Sequence, residues 1–180
     1  GIKDDPELTL QVIATGMHLS SVFGMTYREI EEDGFHIDAS VEILLSEDTP
    51  LGIAESMASG ISGCAKAFDY LKPDIILVLG DRFEIFAAAI SALVAKIPVA
   101  HIHGGETTVG AYDEAFRHSI TKMSQVHFVA AEEYRTRVIQ LGENPMTVNL
   151  VGGLGVENIN RLKLLSKEEL EISLGIKIQS

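Results

Sequence analysis

Cysteine is almost absent: Cys64 is the only one in 180 residues. No internal disulfide can form, and this usage fits a cytoplasmic, reducing setting. Basic charge is scarce too. Lys and Arg total 14 against 26 Asp and Glu, a net charge of −12, which disfavours a protein that grips a nucleic-acid backbone. A small phosphorylated ligand stays open, because one local arginine can hold a phosphate. No apolar run reaches the length of a membrane span, and no secretory signal is visible. Internal repeats, low-complexity tracts and blocks of like charge are also lacking. Core-forming material is plentiful, with 46% hydrophobic residues against 22% charged. The length suits one domain, or one and part of a second.

Strand and helix signals alternate along the chain. Strands are expected at Leu8 to Thr15, Val41 to Leu45, Ile75 to Leu79, Ile97 to Ile102, Val126 to Val129 and Met146 to Val151. Helices are expected at Tyr27 to Asp33, Leu51 to Tyr70, Phe83 to Lys96, Asp113 to Ser124, Glu132 to Leu141 and Val156 to Leu174. Thr49 and Pro50 supply a cap and a first-turn proline for the second of these. Repeated strand–helix units imply an α/β fold with a parallel sheet and right-handed crossovers. The stretch before Leu8 reads as a frayed helix end, and Gly175 to Ser180 as the opening of a further strand. The chain therefore reads as an internal piece of a larger protein.

The chemistry gathers where two strands end. Ile75-Ile76-Leu77-Val78-Leu79 is aliphatic throughout, as suits a strand buried on both faces, and Gly80-Asp81-Arg82-Phe83-Glu84 follows it. The carboxyl ends of strands in open α/β sheets are where ligands bind. His101-Ile102-His103-Gly104-Gly105-Glu106 closes the next strand and opens into glycines that let a ligand approach the backbone. Asp113, Glu114, Arg117 and His118 then share adjoining parts of one helix face, at spacings of three and four. Clustered carboxylates raise one another's pKa, which suits acid–base work.

Each residue also has a plainer role open to it. Asp81 can cap the following helix, and Arg82 can be a solvated helix-start residue. His101 can be a satisfied core histidine, and His127 reads as structural. His103 and Glu106 can brace a loop, while Asp113 and Glu114 can complement a helix dipole. No His-x-x-x-His or paired-Asp spacing supports a metal site. Convergence on one sheet edge is what favours function.

Taken together, Gly80-Asp81-Arg82-Phe83-Glu84, His101-Ile102-His103-Gly104-Gly105-Glu106, Asp113-Glu114-x-x-Arg117-His118-x-Ile120-Thr121-Lys122 and Val151-Gly152-Gly153 resemble the hydrolysing UDP-N-acetylglucosamine 2-epimerases of sialic- and legionaminic-acid pathways. The resemblance covers nearly the whole chain. It implies two Rossmann-like domains in the glycosyltransferase-B arrangement, with the substrate between them. Residues 1–151 would be the amino-terminal domain without its first strand, which would lie mid-sheet. Residues 152–180 would be the hinge and the start of the second domain.

The implied reaction eliminates UDP to give a 2-acetamidoglucal, which is then hydrated to N-acetylmannosamine or the corresponding 2,4-diacetamido sugar. A UDP-2,4-diacetamido-sugar substrate is the alternative to UDP-N-acetylglucosamine. A glycosyltransferase of the same architecture is a second reading, and a non-enzymatic nucleotide-sugar module a third. Carried over by position, Asp81, Glu106 and Asp113 are the acid–base residues, with Glu114 an alternate to Asp113. Some relatives have a catalytic Glu where this chain has His103, so either Glu106 or His103 takes that role. Arg82 would contact the diphosphate, His18 would face the cleft, and Arg117 and His118 would line the sugar site. The resemblance implies a homo-oligomer, dimer or tetramer, with no cofactor, no metal, no membrane and no nucleic-acid partner.

Overall fold

Short β-branched runs separated by helix-forming stretches give parallel strands joined by helical crossovers. The computed structural model describes residues 1–43, 49–108, 110, 112–162 and 164–177. The strands are β1 (Ile13–Thr15), β2 (Ala39–Val41), β3 (Ile76–Leu79), β4 (Val99–Ile102), β5 (Val126–Val129) and β6 (Val148–Leu150). The helices are α1 (Tyr27–Glu32), α2 (Pro50–Leu71), α3 (Phe83–Ala95), α4 (Asp113–Met123), α5 (Glu132–Gln140), α6 (Leu154–Arg161) and α7 (Lys167–Leu174).

Every strand pair is parallel. β1 pairs with β2, and β3, β4, β5 and β6 form a second sheet in that order. Leu79 stands opposite Ile102, so the two glycine-containing strand ends are neighbours, as expected. α2 packs along α3, and α3 along α4. One core serves both sheets: Val41 and Ile43 meet Cys64 and Phe68 of α2, Val78 of β3, Val99 of β4 and Ile120 of α4. A smaller cluster joins Val129, Val138 and Val148 under α5. Burial pushes the Cys64 thiol up to about 11.

Differences from expectation have local causes. β1 is only three residues long, because its partner β2 offers only Ala39–Val41. The ladder begins at Val12, whose carbonyl accepts from Asp38 and Ala39 and whose N–H donates to Asp38 Oδ2 at 2.7 Å. Among the described residues, Leu8 to Gln11 face no partner strand. Leu44 and Leu45, assigned to the second strand, lie outside the described residues. The final helix is two helices. Ser166 starts α7 by accepting from Glu169 N, while the Glu169 side chain accepts from Ser166 N. That reciprocal cap is written in the sequence as Ser-x-x-Glu. α2 starts as expected, with Thr49 Oγ1 accepting from Gly52 N at 3.1 Å.

Candidate active site

The site begins where β3 runs out. The residue preceding α3 is Arg82, and no side chain caps the helix, so Asp81 is not spent on capping. Its Oδ2 instead accepts from Arg117 Nη2 and, at 3.4 Å, from Thr108 Oγ1. Arg117 stands one turn into α4 and is only 6% exposed. Its Nη1 donates to the His103 carbonyl at 2.7 Å, and Nη2 also reaches Thr108 Oγ1 at 3.2 Å. Glu106 Oε2 lies 3.7 Å from Nη1. One buried guanidinium thus binds the β3 end, the β4 end, the following loop and α4 together. A planar fork of five donors suits that task, where a lysine would not.

The β4 end is shaped by two histidines with different duties. His101 is fully buried, and its Nε2–H donates to the Gly80 carbonyl at 2.8 Å. That bond fixes the tautomer and leaves Nδ1 unprotonated, 3.3 Å from Thr121 Oγ1, whose O–H donates to the Arg117 carbonyl at 3.0 Å. Burial pushes its pKa down to about 4, opposed by the Gly80 bond. His101 is therefore a satisfied core residue that steadies the turn before Asp81. Two positions on, His103 takes a left-handed backbone, φ 65°. Its N–H donates to Phe128 O at 2.9 Å, and its Nδ1 is hydrogen-bonded to Glu106 Oε1. Gly105 follows at φ 79°, where a Cβ would lie 2.4 Å from the Tyr134 carbonyl oxygen. Only glycine fits there, and Arg137 Nη1 donates to its carbonyl.

Asp113 opens α4. Burial raises its pKa, reinforced by the Asp81 charge and by Glu84, while Arg82 and Arg117 oppose. A carboxyl that holds its proton more tightly beside a second carboxylate suits proton donation. Glu114 Oε2 accepts from Thr108 N at 3.3 Å, and its Oε1 lies 3.6 Å from His118 Nε2. Arg82 leaves half its side chain exposed, with Nε held by Glu84 Oε2 at 3.2 Å. Glu84 itself is 6% exposed. Gly16 lies against it: a Cβ there would stand 3.0 Å from Glu84 Cγ and Oε1. The turn Gly16–Leu19 after β1 is thereby seated at the Arg82–Glu84 pair, and it carries His18, whose Nδ1 bonds Thr26 Oγ1 at 2.8 Å.

The structure thus joins Asp81, His103, Glu106, Glu114 and Arg117 through direct contacts and Thr108, and puts Asp113 within electrostatic reach of Asp81 and Arg82. His18 and His118 stand at the margin. Sequence reasoning left out Thr108, which bridges Asp81, Glu114 and Arg117, and the burial of Glu84. Glu84 had a signal, since it lies two residues beyond Arg82 at the same strand end. Thr108 had none, because loop contacts have no period. His127 is buried elsewhere, 3.3 Å from Glu143 Oε2 without hydrogen-bond alignment. Among the described residues no group of three or more His, Cys, Asp or Glu is placed to hold a metal, and no helix is long and apolar enough to cross a membrane.

The chain as a whole is similar to several known proteins. The chain is 44% identical over 177 residues to a GDP/UDP-N,N'-diacetylbacillosamine 2-epimerase (hydrolyzing) of Campylobacter jejuni, covering 98% of this chain and 46% of that protein. It is 44% identical to the polysialic acid biosynthesis protein P7 of Escherichia coli, covering 97% and 44%. A UDP-N,N'-diacetylbacillosamine 2-epimerase (hydrolyzing) of Legionella pneumophila is 38% identical, over 93% and 44%. The chain therefore spans about half the length of the curated relatives it matches. Among solved structures, the UDP-GlcNAc 2-epimerase of Neisseria meningitidis bound to UDP-GlcNAc superposes with a TM-score of 0.75 at 23% identity, covering 97% of this chain and 48% of that one. That likeness establishes a Rossmann-like half of a glycosyltransferase-B type fold. The UDP-N-acetylglucosamine 2-epimerase family matches residues 1–179, and the chain belongs to that family.

Proposed function

We propose that the chain supplies the acid–base half of a hydrolysing 2-epimerase acting on a UDP-linked 2-acetamido sugar. The observation that carries this is the cluster at the carboxyl edge of the sheet, where Arg117 of α4 pairs with Asp81 and donates to the His103 carbonyl, with Asp113 opening the same helix. The Glu106–His103 pair lies on the neighbouring strand end. A base takes the proton from C2 of the sugar. The C1–O bond to the diphosphate then breaks, UDP departs with that electron pair, and a 1,2-alkene remains. Water adds across it, with oxygen at C1 and a proton returned to C2 from the other face. Asp81, Glu106, Asp113 and His103 are the acid–base set, with Glu114 beside them. Arg82, steadied at Nε by Glu84, turns its remaining N–H groups to the diphosphate, with His18 nearby. Arg117 acts by holding Asp81 and His103, and His118 borders the sugar.

In this reading residues 1–151 form the Rossmann-like unit and residues 152–180 lead into a second domain that shares the substrate. UDP-N-acetylglucosamine and a UDP-2,4-diacetamido sugar are both candidate substrates, and the names of two relatives favour the second. The test is incubation of the natural full-length protein with each sugar nucleotide. Release of UDP with a free manno-configured amino sugar is the expected result. Transfer to an acceptor, or no UDP release, overturns the reading.

A further inference from the structure

Beside α4 lies a cavity that the acid–base chemistry does not use. Its volume is about 390 Å³, and its lining is Thr49, Pro50 and Ile53 at the start of α2 with Tyr112 and Phe116 of the α4 start. That volume falls within the roughly 300–1,000 Å³ of small-molecule pockets. The wall is almost entirely carbon. Its side-chain hydroxyls are Thr49 Oγ1, which accepts from Gly52 N, and the Tyr112 phenol. Tyr112 meets Phe116 edge to face at 5.5 Å, and Phe116 stacks on Phe86 of α3 at 4.7 Å. The aromatic wall is therefore stiff.

Its place in the fold ties it to the site. α2, α3 and α4 all start from the carboxyl edges of the strands that precede them. Tyr112 is the residue immediately before Asp113, and residues 112 and 116 lie one helical turn apart, next to the face that carries Asp113 and Arg117. The apolar wall thus begins at the residue next to Asp113, on the same helix start. The two candidate sugars differ at C4 and C6. N-acetylglucosamine presents hydroxyls at C4 and C6. N,N'-diacetylbacillosamine presents an acetamido group at C4 and a methyl at C6. Hydroxyls turned to this mostly carbon wall give up water for few partners, whereas the acetyl and C6 methyl groups are favoured there.

We propose that this cavity receives the C4 acetamido and C6 methyl groups of a UDP-2,4-diacetamido-2,4,6-trideoxy sugar and so selects that substrate over UDP-N-acetylglucosamine. The inference rests on the 2-epimerase reading above. The experiment measures kcat/KM for both sugar nucleotides with the natural full-length protein and its Tyr112→Ser and Ile53→Thr variants, with thermal unfolding to confirm that each is folded. The wild type should prefer the diacetamido sugar, and the preference should fall about tenfold or more in either folded variant, the scale of one lost methylene contact in an apolar pocket. An unchanged preference, an equal loss on both substrates, or a wild type that favours UDP-N-acetylglucosamine overturns the cavity's role and leaves the 2-epimerase reading intact. UDP release from neither sugar overturns both.

Discussion

The β3–β6 sheet carries two ionic clusters at opposite edges, built from the same kinds of residue. At the carboxyl edge, His103, Glu106, Asp81 and Arg117 converge on strand ends and loops with positive φ. At the other edge, His127 lies 3.3 Å from Glu143, which accepts from Lys122 at 2.5 Å. The second cluster ties the end of α4 to the turn after α5, over a fully buried His127. The first links the ends of β3 and β4, the loop at Thr108 and α4 through one buried guanidinium. Histidine, carboxylate and cation therefore do not mark a functional site by themselves. What differs is the backbone they stand on and which edge of the sheet they face.

The contrast breaks most sharply in turnover. In the natural full-length protein, Asp81→Asn should lower kcat about 100- to 10,000-fold, the cost of losing an acid–base group, with a smaller change in KM. Glu143→Gln at the opposite edge should leave kcat within about twofold, since it touches no group near the reacting atoms. Steady-state kinetics of both variants decide. Equal effects would erase the distinction between the edges, and near-normal turnover in Asp81→Asn would leave that residue the sole duty of pairing Arg117.

Stability should follow the burial of the two cations. Arg117→Ala leaves Asp81 without its partner in a site where both side chains are largely buried. The expected loss is about 3–5 kcal/mol in urea unfolding. Lys122 is about half exposed, so Lys122→Ala should cost no more than about 1 kcal/mol. A larger loss from Lys122→Ala than from Arg117→Ala would reverse the ranking.

Acid should test the two buried histidines together. His101 has its pKa pushed down to about 4, and burial also lowers that of His127. The unfolded chain protonates both near pH 6.5, while the folded chain resists. Their contribution is therefore complete above about 6.5 and is lost as pH falls towards about 4, by up to about 3 kcal/mol for His101. Urea unfolding at about pH 7 and about pH 5 should show a steeper acid loss in wild type than in His101→Gln. Parallel losses would mean that His101 is not held neutral by the fold.

Much of this was legible in the sequence because it depends on local period and punctuation. β5 runs over Val126–Val129 as read, and the Thr49-Pro50 start of α2 was visible from residue types alone. The adjacency of the strand ends followed from parallel pairing. What escaped depends on partners far along the chain. Leu8 to Gln11 read as strand, yet no neighbouring strand meets them among the described residues. Arg117 reads as a polar face residue until α4 is laid over the strand ends, where its guanidinium is enclosed. Thr108 joins Asp81, 27 positions away, through a loop.

Cys64 has a use that its burial conceals. It is the chain's sole thiol, 3% exposed, in the core where α2 meets both sheets, with its pKa raised to about 11. The reactive thiolate is scarce and walled off at neutral pH. Any alkylation must then await an excursion in which α2 lifts from the strands beneath it. The rate of labelling at this one sulfur is a built-in clock for that opening, and it would run slower when a ligand holds the sheets and helices together.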